Sequence, residues 1–278
     1  MRISKVPMLV AALALAAVGC STDNGQPTAN SIPPLAYVRY INALPDTMNT
    51  TVRWVDYIEF TPQTFANVAY RGIGQGLYQG LKAGSRHFKV FNSDAVNFSV
   101  AGNTAVLADE TISFDAGKYY TIVMTGYART GSKKIKVYED VIPSPGSNIA
   151  IRVFNANTGL GSIDAYKTAG ASDAISGSPT FGAVAEQAFS AYTQVAPAAF
   201  AIRATAAGNA ATILASGAAP AGTAGTTSAD PIGGGTVAGS VITAMVFPAS
   251  VTGSMAVASA TPSVIYVVDK QPPRTTSP

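Results

Sequence analysis

Two patterns divide the chain. Near its start, Met8 to Val18 is an unbroken apolar run, preceded by Arg2 and Lys5 and followed by Gly19, Cys20 and the polar Ser21-Thr22-Asp23-Asn24. Further on, apolar positions alternate with polar ones. Lys118 to Met124 sets Tyr120, Ile122 and Met124 on one face and Tyr119, Thr121 and Val123 on the other, between the turn Phe114-Asp115-Ala116-Gly117 and Gly126. Arg86, Phe88 and Val90 alternate with His87, Lys89 and Phe91 behind the turn Lys82-Ala83-Gly84-Ser85. In Lys134-Ile135-Lys136-Val137-Tyr138, Ile135 and Val137 oppose lysines, the pattern of a strand wet on one side. A period of two in β-branched and aromatic residues, closed by Gly, Pro, Asn and Asp, predicts strands. Phe181 to Phe189 fits a helix and a strand pair equally well, and Ala206 to Gly235 reads as a loop region around one short strand, Thr212-Ile213-Leu214.

The strand-forming part repeats itself, the first thing to seek in such a chain. Val38-Arg39-Tyr40-Ile41-Asn42-Ala43 matches Ile151-Arg152-Val153-Phe154-Asn155-Ala156. Tyr78-Gln79-Gly80-Leu81 matches Tyr192-Thr193-Gln194-Val195, and Ala116 to Thr121 matches Ala238 to Thr243. Last, Val137-Tyr138-Glu139-Asp140 matches Tyr266-Val267-Val268-Asp269. The four blocks keep their order, and the offsets grow only as loop insertions would make them. Pro143-Ser144-Pro145-Gly146 stands between the copies as a short, stiff linker. The expected architecture is all-β: two tandem immunoglobulin-like β-sandwich modules, over residues 35–142 and 147–270, with a tail at 271–278.

These blocks carry a family resemblance. An opening Val-Arg-aromatic-Ile-Asn-Ala strand, a mid-module Tyr-x-x-Leu ahead of Ala-Gly, and a later Ala-Gly-x-Tyr-Tyr-Thr strand ending in glycine resemble the DUF4397 domain. The resemblance is fuller in the first copy, because Val241-Ile242 replaces the Tyr-Tyr pair in the second. It implies a β fold and an exported bacterial protein, and it carries no reaction.

The chain's start points to the same compartment. A basic start, a short apolar run and small residues form the signature of a secretory signal peptide, here residues 1–19. The run falls short of the roughly 20 apolar residues that a spanning helix needs. Ala17-Val18-Gly19-Cys20 resembles the bacterial lipobox, with alanine where the pattern prefers leucine. That resemblance implies cleavage before Cys20 and acylation of its sulfur. Cys20 is the only cysteine, so it has no partner for an internal disulfide. Two or three acyl chains hold a protein durably where one holds it only reversibly. Ser21 in place of aspartate implies, by resemblance to proteobacterial lipoproteins, the outer membrane. Residues 20–34, with Pro27, Pro33 and Pro34, read as a tether.

Charge narrows the function. Eighteen basic residues stand against fifteen acidic ones, and Arg2 and Lys5 leave with the signal peptide, so the remainder is close to neutral. A nucleic-acid partner would call for a basic face. A Ser-His-Asp triad needs an imidazole base, and the only histidine, His87, sits in a strand between basic neighbours. One histidine and a lipidated cysteine make no zinc site. Asp109-Glu110 and Glu139-Asp140 are adjacent pairs whose members point to opposite faces of a strand. Asp46, Asn49 and Asp56 offer oxygen ligands without a recognisable calcium spacing. No catalytic residue, metal or cofactor is expected. Asn42 and Asn155 are expected to shape the turn after the first strand of each copy.

The expected function is therefore a non-enzymatic binding or structural module of the cell envelope, joined to the membrane through Cys20, with an envelope protein or a glycan as partner. A glycan reading would use the first-copy aromatics Trp54, Tyr57, Tyr70 and Tyr78 as stacking platforms, where the plainer reading puts Trp54 and Tyr78 in the sandwich core. A hydrolase with carboxylates brought together from distant positions is the remaining alternative.

Overall fold

In a computed structural model, residues 33–56, 65–74, 77–93, 106–256 and 259–274 are described. The expected signal peptide, Cys20 and Tyr57 lie outside them. Among the described residues every regular element is a strand. The first eight are β1 (Leu35–Asn42), β2 (Thr50–Trp54), β3 (Phe65–Val68), β4 (Gln79–Lys82), β5 (Gly84–Asn92), β6 (Val106–Phe114), β7 (Tyr119–Thr125) and β8 (Lys134–Glu139). Nine more follow: β9 (Ile149–Asn155), β10 (Ile163–Thr168), β11 (Phe181–Val184), β12 (Ala188–Phe189), β13 (Thr193–Val195), β14 (Ala201–Ala206), β15 (Asn209–Ala218), β16 (Val241–Phe247) and β17 (Ser263–Lys270). The ambiguous stretch from Phe181 to Phe189 resolves into β11 and β12. The Ala/Gly-rich region holds a ten-residue strand, β15, rather than a three-residue one, because pairing with β14 supplies what composition lacks.

Four sheets make two sandwiches. The first pairs the sheet β4-β1-β7-β8 with β3-β2-β5-β6. The second pairs β12-β9-β16-β17, with β13 also on β9, against β11-β10-β14-β15. Strand for strand, the orders correspond. In each, the opening strand lies parallel to the last but one, β1 on β7 and β9 on β16. The architecture is the two-sheet sandwich expected. Its strand order differs from the constant-type immunoglobulin order, where the first two strands share a sheet; here β1 and β2 lie in different sheets.

Alternation builds three apolar layers. Val38, Tyr40, Ile122 and Met124 point inward to meet Val52, Trp54, Phe65, Phe88 and Phe114. Ile151, Val153, Ile242 and Ala244 do the same against Ile163, Phe181, Phe200 and Ile202. The opposite faces of β1, β7, β9 and β16 do not meet water. Ile41 and Val123 from the first sandwich pack with Phe154, Met245, Phe247 and Val267 from the second. Both faces of these strands are thus covered, and β9 and β16 are buried along their whole length. That is why they read as nearly continuous apolar runs.

The repeated asparagines close each sandwich in the same way. Asn42 Oδ1 accepts the amide of Leu44, and Asn155 Oδ1 that of Asn157, each at 3.1 Å, which shapes the turn as expected. Each side chain also donates 3.0 Å across to the facing sheet, Asn42 to Val68 O and Asn155 to Val184 O.

Candidate functional site

The covered face between the sandwiches is not wholly apolar. Arg39, one residue from core-facing Val38 and Tyr40, must point the other way. So must Arg152 on β9. Arg39 Nε donates to Thr121 Oγ1 on neighbouring β7 at 2.7 Å. Its Nη1 reaches out of its own sandwich to Asp269 Oδ1, at the end of β17, at 2.6 Å. Arg152 mirrors it: Nε donates to Thr243 Oγ1 at 2.8 Å, and Nη2 to Asp140 Oδ1, just past β8, at 2.6 Å. Each arginine thus pairs with the aspartate of the other sandwich.

The threonines close a ring. Thr121 donates to Asp140 Oδ2 and Thr243 to Asp269 Oδ2. Tyr78 donates to Asp140 Oδ2 at 2.8 Å, and Tyr192 to Asp269 Oδ2 at 2.9 Å. Each tyrosine ring also carries the guanidinium of its own sandwich, 4.6 Å from its centroid. Arg152 packs on Phe189 as well. The side chains of Arg39, Asp140 and Asp269 are fully buried, and that of Arg152 is nearly so. Two cations and two anions cancel, and every carboxylate oxygen accepts at least one hydrogen bond, which is what makes buried charge tolerable.

The surroundings hold these charges in place. Burial works against the Arg39 charge, yet Asp269, Tyr78 and Asp140 outweigh it and lift the group above its ordinary range. Arg152 moves the same way, as Asp269 and Asp140 overcome its burial. Burial pushes the Tyr78 and Tyr192 phenols up, so both stay protonated donors. Chemically, the ring leaves one donor over, Arg39 Nη2, which is buried without a hydrogen-bond partner among the described residues. Each aspartate accepts from an arginine, a threonine and a tyrosine, and none is left poised as a base.

The residues singled out in sequence fall in separate places. Trp54 is 2% exposed and meets Phe88 and Phe114 edge-on. Tyr70 is 4% exposed and donates to Pro248 O in the second sandwich. Tyr78 belongs to the ring. Neither Trp54 nor Tyr70 presents a ring face on which a sugar could stack. Asp46, Asn49 and Asp56 go to three different partners: the amides of Ala128 and Arg129, the side chain of Asn67, and Arg86. Among the described residues no three His, Cys, Asp or Glu side chains gather as a metal site. Glu139 binds exposed Lys118 while Asp140 turns inward, so adjacent carboxylates do face opposite ways.

His87 does find an acid. Cross-strand pairing of β5 with β6 brings Asp109 to 2.6 Å from His87 Nε2, with Lys89 on its other oxygen. Both hydrogen bonds hold the Asp109 carboxyl below its usual range. The cluster is open to water, where such pairs contribute little.

Residues 36–166 match the family model described as a domain of unknown function, DUF4397. The chain carries a DUF4397 domain. The DUF4397 match opens in β1, covers the first sandwich and runs on through β9 into β10. It therefore includes Arg39, Tyr78, Thr121, Asp140 and also Arg152 of the next sandwich. No curated protein matches the chain.

Sequence reasoning had marked every ring position as a repeated letter, but had read Tyr78 as a stacking or core aromatic and Asp140 as one of an adjacent carboxylate pair, not as partners of the arginines. Arginine on the outward side of a strand reads as a solvated residue, and only the docking of a second sandwich turns that side into an interior.

Proposed function

We propose that this protein is a non-enzymatic binding or structural module of the cell envelope, held to the outer membrane by lipid on Cys20. One observation carries the anchor: the only cysteine stands directly after a short apolar run and Ala17-Val18-Gly19. The geometry supports the structural half: the charged groups buried at the sandwich junction are bound to one another in a neutral ring, an arrangement suited to fixing two sandwiches in register. A DUF4397 domain, with no assigned activity, is compatible with such a part.

Membrane fractionation with mass spectrometry of the N-terminal peptide tests the reading. The expected result is a diacylglyceryl-bearing N-terminal cysteine in the membrane pellet, and release into the soluble fraction on Cys20→Ser. An unmodified thiol in protein that washes freely off membranes would overturn it.

A further inference from the structure

The end of the first sandwich remote from Leu35 carries a cavity of about 310 Å³. Its apolar lining comes from both sandwiches. Met48 and Leu107 belong to the first, and Met255, 67% exposed, belongs to the loop after β16 in the second. A water-sized group occupies about 30 Å³ of liquid, so the space suits a body of about ten such groups. Ligand sites of small molecules start near this size and combine apolar walls with a few polar groups. Methionine suits such walls because it is unbranched and adaptable.

The charged groups of the lining are one exposed cation, Arg129, and one buried anion, Asp46, and two further cations follow Arg129 along its hairpin. The β7–β8 hairpin forms one side of the cavity through Ala128 and Arg129, and carries Lys133 and Lys134 a few residues on. Arg129 is exposed, and its guanidinium makes a 3.4 Å bond to Gly253 O. Neither Lys133 nor Lys134 makes an ion pair among the described residues. Asp46 also lines the cavity, but it is 2% exposed. Its two oxygens accept the amides of Ala128 and Arg129 at 2.9 and 2.8 Å. Its charge therefore holds the hairpin turn in place and is not presented to a ligand. Thr47 and Asn92 bond to each other on the opposite side.

We infer that this cleft binds a small amphiphilic anion, an alkyl chain of about ten carbons ending in a carboxylate or phosphate. The chain lies between Met48, Leu107 and Met255, and the acid lies on Arg129 and the hairpin lysines. The assignment does not depend on the lipid at Cys20, which the membrane fractionation tests by itself.

Titration calorimetry on the full chain carrying Cys20→Ser decides it, with probes kept below their micelle concentrations. The probes are decanoate, decyl phosphate, decyltrimethylammonium and inorganic phosphate. Saturable one-to-one binding of decanoate or decyl phosphate is expected, with none for the cationic amphiphile or for phosphate alone. The tighter of the two anions identifies the acid. Arg129→Gln combined with Lys134→Gln, both at exposed positions, is expected to weaken binding about tenfold to a hundredfold. Met255→Ser is expected to weaken it as well. Three results would each overturn the inference: no binding of either anion, equal binding of the cation, or full affinity in the Arg129/Lys134 variant.

Discussion

Tyr70, Tyr78 and Tyr192 show how single side chains join the sandwiches. Each is largely buried and donates its hydroxyl, Tyr70 to a carbonyl of the second sandwich and the others to the ring aspartates. Burial raises all three, Tyr70 to about 12. A proton held more tightly in the fold than in the open chain stabilises the fold fully below the unfolded value, about 10 for tyrosine, and less as pH rises through the folded value. Denaturation midpoints should therefore fall between about pH 10 and pH 12 as these phenols are forced to ionise. Tyr70→Phe should flatten part of that fall while lowering stability at neutral pH. Identical alkaline curves for the parent and Tyr70→Phe would show that Tyr70 contributes nothing to it.

At the scale of the element, β1, β7, β9 and β16 behave as interior strands. Their inward faces were legible, because alternation placed Tyr120, Ile122 and Met124 together and the core uses that set. Their outward faces were not. Nothing in Phe154 or Val123 by itself says that a second sheet covers it, since the covering comes from the other sandwich, as Tyr138 covers Phe154. Short-range pairing was equally hidden: β15 takes its length from β14, and His87 meets Asp109 only across β5 and β6. The consequence for energetics is specific. Phe154 faces the junction and Phe88 faces a sandwich core, yet both are 0% exposed. Phe154→Ala should then cost about as much as Phe88→Ala, in the range of about 3–5 kcal/mol, by chemical denaturation. A loss below about 1 kcal/mol for Phe154→Ala would mean that the outward face is not an interior.

For the whole molecule, the relation between its halves matters most. The paired letters Arg39 and Arg152, Thr121 and Thr243, Tyr78 and Tyr192, and Asp140 and Asp269 lie in or beside corresponding strands of the two sandwiches. Matching explains the shared strand order. It does not by itself say that each arginine reaches across to the aspartate of the other half, which depends on how two finished sandwiches meet. The crossed pairing makes the halves mutually dependent: a charge lost in one strands its partner in the other. Burying charge in this way is weak evidence for added stability, since apolar replacements of similar volume often do as well. Removing one partner is a different matter, because it leaves an unpaired ion in a dry interior.

A double-mutant cycle on Arg39→Met and Asp269→Leu, followed by chemical denaturation, tests that dependence most directly. The crossed ring predicts that each single change costs about 3–5 kcal/mol and that the double variant costs far less than their sum. Single losses under about 1 kcal/mol, or losses that simply add, would contradict it.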